Sequence, residues 1–101
     1  MKINSKFLNK TLYIGLNGEL DEHASEYTKS ELDGLMCADG TQRVVLDLSG
    51  LSFMDSTGVG VLIGRFKKLK ARSIPVFLAN PAPQTDKILK MAGIYQIMPK
   101  I

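Results

Sequence analysis

Apolar residues recur along this chain in two rhythms. Residues 3–7 and 11–16 alternate with a period of about two, and Asn9-Lys10 separates them at hairpin spacing. The pattern predicts two antiparallel strands, Ile3 to Phe7 and Thr11 to Leu16. "NGELD" follows as a turn around Gly18. It ends in Asp21, which is placed to accept a hydrogen bond from free backbone N–H groups of the next helix. That helix is predicted from about Glu22 to Met36, with Ala24, Tyr27, Leu32 and Leu35 on one side; Ala38-Asp39-Gly40 stops it. "RVVLDL", Arg43 to Leu48, is nearly all apolar, as expected of an inner strand covered on both faces.

A second helix is predicted from Ser56 to about Arg72, with Val59, Leu62, Ile63, Phe66 and Leu69 as its buried stripe. "IPVFLA", Ile74 to Ala79, reads as a strand with Pro75 in its first positions, where a missing N–H is tolerated. "NPAP" opens a third helix, Pro83 to Ala92, with Gly93 as its C-terminal cap. "IYQIM" reads as a last short strand. The order β-β-α-β-α-β-α-(β) predicts one small α/β domain over residues 1–101, a mixed four- to five-stranded sheet flanked by helices.

Composition narrows the function classes. Apolar residues make up 45% and charged residues 23%, an ordinary globular balance. Net charge is +3, with Arg65, Lys67, Lys68, Lys70 and Arg72 grouped near the end of the second helix. Cations there suit the negative end of the helix dipole, so the cluster reads as a solvated helix end and no nucleic-acid partner is expected. Cys37 is alone, which excludes an internal disulfide and fits a cytoplasmic setting; it reads, with the five methionines, as core or near-core. "MKINSKFLNK" lacks the apolar stretch of a secretory leader, and the uncharged run Ser56 to Gly64 is too short to span a bilayer, so no membrane is expected.

The candidate chemistry lies in "SFMDSTGVG", residues 52–60. It follows a parallel strand at its carboxyl end, where function collects in α/β sheets. Either Asp55 or Ser56 can cap the second helix, whose first turn offers free N–H groups and a partial positive charge. At about 100° per residue, Ser56, Gly60 and Gly64 share a flank away from the apolar stripe, with Lys67 beside them and Val61 and Lys68 just beyond. Each glycine inside a helix costs about 1 kcal/mol relative to alanine, so two on one strip suggest a flat surface for another backbone. Phosphate on Ser56, favoured over Thr57 by the capping geometry, would add about two negative charges at its edge.

Other chemistries fit less well. Gly58 to Gly64 resembles a phosphate-binding loop and is the alternative function, a small nucleotide-binding domain; the spacing of G-x-G-x-x-G fails at Ile63, and no Walker lysine is present. His23 is the sole histidine and reads as a surface residue, without the oxyanion hole a hydrolase needs. Glu19, Asp21, Asp47 and Asp55 are a conceivable carboxylate cluster, yet such groups more often accept backbone hydrogen bonds, so no metal or other cofactor is expected.

"GELDEH" at 18–23 and "VVLDLSGLSFMDSTGVGVLIGRFKKLK" at 44–70 resemble the anti-sigma factor antagonists of the STAS (sulfate transporter and anti-sigma antagonist) domain, nearest to their sporulation branch. The resemblance implies a non-enzymatic regulator of transcription. Its partners would be an anti-sigma factor that is a serine kinase using ATP and magnesium, and a serine phosphatase that reverses the mark. The serine after the aspartate, here Ser56 after Asp55, would be phosphorylated. The unmodified form would bind the anti-sigma factor and free the sigma factor. By the same resemblance the partner surface would comprise Gly18, Glu19, Leu20, Asp21, Asp55, Ser56, Thr57, Gly58, Gly60, Val61 and Gly64. Relatives usually continue into a further C-terminal helix where this chain stops at Ile101, so one sheet face is expected either to be less covered or to have that helix replaced by a partner or a neighbouring molecule.

Overall fold

The computed structural model describes all 101 residues. Strands β1 (Lys2–Leu8) and β2 (Thr11–Leu20) form an antiparallel hairpin. Its two-residue turn, Asn9-Lys10, has φ of 52° and 62°, the double left-handed turn that matches strand twist. Helix α1 (Ser25–Met36) leads to β3 (Arg43–Met54), then α2 (Ser56–Lys70), β4 (Val76–Ala79) and α3 (Pro83–Met91). The sheet order is β1-β2-β3-β4, with β2, β3 and β4 mutually parallel. The expected mixed α/β domain is therefore present, with four strands.

The core lies on one side of the sheet. Leu12, Ile14 and Leu16 of β2, Val44, Leu46 and Leu48 of β3, and Val76 and Leu78 of β4 meet Leu32, Leu62 and Leu89 of the three helices in one cluster. The expectation that β3 is covered on both faces does not hold. Val45, on the far face, lies in register with Tyr13 and Phe77. These neighbours shield it, and Tyr13 itself is 41% exposed.

Several boundaries shift for physical reasons. β2 and β3 run past their expected ends at Leu16 and Leu48 to Leu20 and Met54, because register irregularities after Gly15 and Gly18 let the pairing resume. α1 begins at Ser25, not Glu22; residues 22–24 form a turn in which Asp21 accepts from the Ala24 N–H (2.9 Å). Its buried face is Ser25, Thr28, Leu32 and Met36, and Tyr27, expected inside, is exposed. Polar residues hold that face because Thr28 donates to the Ala24 carbonyl (2.8 Å) and Ser25 to that of Glu22 (3.0 Å).

α2 stops at Lys70 rather than Arg72. Its buried residues include Gly58, Val61, Leu62, Arg65 and Leu69, while Val59, Ile63 and Phe66 are only half-buried against the core. Burial of Arg65 is made tolerable by Asp33 of α1: its Nε lies 3.0 Å from the carboxylate, though not aligned for a hydrogen bond, and Lys68 holds the other oxygen at 3.0 Å. Cys37, expected in or near the core, is exposed, as is Met91.

The expected strand at "IYQIM" is instead a 3₁₀ turn, Ile94–Gln96, entered through Gly93 at φ 70°. Ile94 and Met98 plug the core, and a single bridge joins Lys100 to Leu78. Asp86 of α3 clasps this segment, accepting from the Tyr95 hydroxyl (2.6 Å) and from Lys100 (3.0 Å), with Lys90 at 3.1 Å. The Tyr95 hydrogen bond, helped by the two lysines, holds the Asp86 carboxyl well below the usual carboxylate range. Burial, and then the same bond, pushes the Tyr95 phenol up. A carboxyl depressed in the folded state stabilises the fold fully above its unfolded value, about 4, and loses that contribution as pH falls below it. The 94–101 segment is therefore expected to loosen in Asp86→Asn at neutral pH, and in the parent chain only under strong acid. Amide exchange of Met98 and Ile101 measures both.

Candidate functional site at the head of the second helix

β3 ends at Met54, and Asp55 continues in an extended conformation before α2 begins. Asp55 caps the helix: its Oδ1 accepts from the Gly58 N–H at 3.0 Å. The choice between Asp55 and Ser56 as cap is thereby settled. Ser56 becomes the first helical residue, exposed, with its hydroxyl free of the capping role. Around it the unpaired N–H groups of the first turn favour negative charge. Asp55→Ala is expected to lower stability by about 1 kcal/mol, measured by urea unfolding, with the helix otherwise intact.

The "GELD" segment arrives at the same end of the sheet. Glu19 lies in register with Phe53 and Leu20 with Met54. The Asp55 N–H donates to the Leu20 carbonyl at 3.4 Å, and Ser52 donates to the Gly18 carbonyl at 3.2 Å. Two segments over thirty positions apart thus meet at the carboxyl ends of β2 and β3. Gly18 sits here at φ 122°, a conformation that suits glycine alone, so the segment is strand with an irregularity rather than the simple turn expected.

The expected partner residues divide into two sets. Gly18, Glu19, Asp21, Asp55, Ser56, Thr57, Gly60 and Gly64 are exposed or half-exposed at or next to this end. Leu20 and Val61 are 0% and 1% exposed and belong to the core, so they support the surface from beneath. Gly58 is buried too: a Cβ there would meet the Leu20 carbonyl oxygen at 2.5 Å and Met54 Cγ at 2.7 Å. Gly60 and Gly64 differ. A Cβ on either would meet nothing within 4 Å, so the ridge is open rather than packed against its own chain.

Residues 58–64 are interior to α2, which removes the loop that the nucleotide-binding alternative requires. Three of the four candidate carboxylates accept from backbone, Asp21 from Ala24, Asp47 from Ser49 and Asp55 from Gly58, and Glu19 is exposed. No three histidine, cysteine or acidic side chains converge as a metal site would need. His23 is exposed in the turn before α1. No helix is long and apolar enough to cross a membrane. Phe53, a hydrophobic residue that spacing alone does not mark as exposed, is 47% exposed beside Glu19.

The profile of the STAS domain matches residues 2–101. The chain belongs to the STAS domain family. This STAS chain is 31% identical over 99 residues to the anti-sigma F factor antagonist of Paenibacillus polymyxa, covering 98% of itself and 85% of that protein. Its fold superposes on the anti-sigma factor antagonist SpoIIAA in its unphosphorylated form with a TM-score of 0.81, at 30% identity, over 99% of this chain and 88% of that one. The phosphorylated form of the Bacillus cell fate determinant SpoIIAA matches with a TM-score of 0.74, at 30% identity, over 99% and 91%.

Proposed function

We propose that this STAS domain is an anti-sigma factor antagonist switched by phosphorylation of Ser56. The observation that carries the reading is the division of labour at the helix head. Asp55 does the capping, so the Ser56 hydroxyl is left exposed and unspent. Two further features support it. The open Gly60–Gly64 ridge lets another backbone approach α2. A relative at 30% identity has been captured in both phosphorylated and unphosphorylated forms.

The mechanism follows from charge and space. The unmodified domain binds its anti-sigma factor across the ridge and the Glu19–Asp21 segment, and the sigma factor is released. That partner is a serine kinase. The Ser56 oxygen attacks the γ-phosphorus of magnesium-bound ATP, the bond to ADP breaks, and the serine proton passes to a base of the kinase. The helix head tolerates the new dianion because its free N–H groups face it. The partner surface, fitted to a bare hydroxyl, does not. A serine phosphatase hydrolyses the ester and restores binding. The similarity to an anti-sigma F factor antagonist supports the antagonist role, and the resemblance of 18–23 and 44–70 to the sporulation branch points to sporulation transcription in the cytoplasm.

The test is phosphotransfer. Purified protein, the host's kinase-type anti-sigma factor and magnesium-ATP are expected to give one phosphate per chain, placed on Ser56 by peptide mass spectrometry. Ser56→Ala should stay unlabelled. Phosphate on Thr57, or none at all, would contradict the assignment. Gly64→Lys should weaken complex formation by about tenfold or more without removing the acceptor serine, because a long side chain then stands on the ridge.

A further inference from the structure

Phe53 is out of character for its strand. Leu51, two residues before it, and Met54, directly after it, are 2% exposed, whereas Phe53 is 47% exposed beside the exposed Ser52. β4 ends at Ala79, opposite Asp47, so the last part of β3 has β2 on one side and α3 on the other. Phe53 and Met54 there face Gln84, Thr85, Lys87 and Ile88 of α3 across a hollow of about 360 Å³. Lys87 is exposed and joins no ion pair, whereas Lys90 and Lys100 on the same helix and tail both hold Asp86.

Resting on the reading of the helix head as the partner surface, we infer that this hollow is a second docking point for the same anti-sigma factor. It takes a large apolar side chain of that protein with a carboxylate beside it. Three observations select this occupant. The hollow is continuous with the proposed surface: Phe53 pairs with Glu19 across the strands and stands three residues before Ser56. Its walls are apolar at Phe53, Met54 and Ile88, which suits a side chain rather than a polar ligand. Its rim carries one uncompensated cation, Lys87, which selects a carboxylate. An exposed aromatic next to a binding surface is the usual form of an anchoring residue.

The arrangement separates docking from switching. Contacts at Phe53 lie off the helix mouth, so they hold the kinase while Ser56 enters its active site. Truncating the anchor should therefore raise KM for Ser56 phosphorylation and leave kcat unchanged.

The experiment measures Kd for the purified anti-sigma factor, and KM and kcat for Ser56 phosphorylation, with Phe53→Ala, Lys87→Glu and Gly64→Lys. Circular dichroism checks each fold, and light scattering checks each size. Phe53→Ala is expected to weaken binding about tenfold and Lys87→Glu several-fold, the latter more strongly at low salt. Suppose instead that both bind within about twofold of the parent while Gly64→Lys fails. The hollow is then unused, and the switch reading stands without it. If Gly64→Lys also binds normally, the site reading itself falls and takes this inference with it. A dimer in the parent lost in Phe53→Ala, with unchanged partner affinity, would assign the hollow to a second copy and overturn the proposal.

Discussion

Ser56→Asp is expected to reduce affinity for the anti-sigma factor by about a hundredfold, while Ser56→Ala binds like the parent chain. The asymmetry is the point. Both substitutions remove the hydroxyl, but only one places a carboxylate where the ridge meets the helix mouth. Ser56 is exposed and does not cap α2, so neither change removes a native hydrogen bond from the fold. Aspartate in the first turn is, if anything, favourable to the helix dipole, by about 0.5 kcal/mol. Loss of binding with unchanged or higher thermal stability therefore reports the interface and not the fold. Titration calorimetry of both variants, beside thermal unfolding, provides the comparison. Equal affinities for Ser56→Asp and Ser56→Ala would show that negative charge at this position is not what the partner rejects.

Gly58→Ala is expected to destabilise the domain by about 3 kcal/mol, the largest stability effect among its glycines outside the strands. The added carbon would stand 2.5 Å from the Leu20 carbonyl oxygen and 2.7 Å from Met54 Cγ. Backbone cannot yield cheaply, and this carbonyl also receives the Asp55 N–H that ties β2 to the site. The clash consequently pulls on both halves of the proposed surface. Gly60→Ala makes the control: its Cβ meets nothing, and alanine is the better helix former, so stability should rise by about 0.5–1 kcal/mol. Urea unfolding of the two variants decides between them. A mild Gly58→Ala would mean that the contact of α2 with the end of β2 is looser than the geometry indicates.

Much of this architecture was legible in the residues. The hairpin declared itself through Asn9-Lys10, and strand-helix alternation gave the parallel core and placed Asp55–Ser56 at the carboxyl ends of the strands. The Ser56–Gly60–Gly64 flank followed from helical spacing alone, and its openness agrees. What failed were features decided by contacts distant in sequence. Tyr27 has the hydrophobicity of a core residue, but Thr28 takes the inner position by satisfying its hydroxyl on the preceding turn. Arg65 looks like a surface cation until Asp33 of another helix partners it. Gly58 and Val61 fell on the expected partner surface, yet Gly58 is closed in by Leu20 and Met54, and Val61 belongs to the core cluster. Phe53 sits beside the apolar Met54, but the β3–β4 pairing ends at Asp47 and Ala79 and Phe53 is left open. The kinase, phosphatase and sigma-factor roles came from family resemblance and not from any periodicity.

One affinity, measured twice, decides whether a phosphate on Ser56 controls partner binding. The protein is phosphorylated to completion on Ser56, and its Kd for the anti-sigma factor is compared with that of the same preparation after dephosphorylation. A loss of about a hundredfold on phosphorylation, fully recovered when the phosphate is removed, is the predicted result. Identical affinities for the two forms would contradict it, because the exposed hydroxyl at the helix mouth would then control nothing.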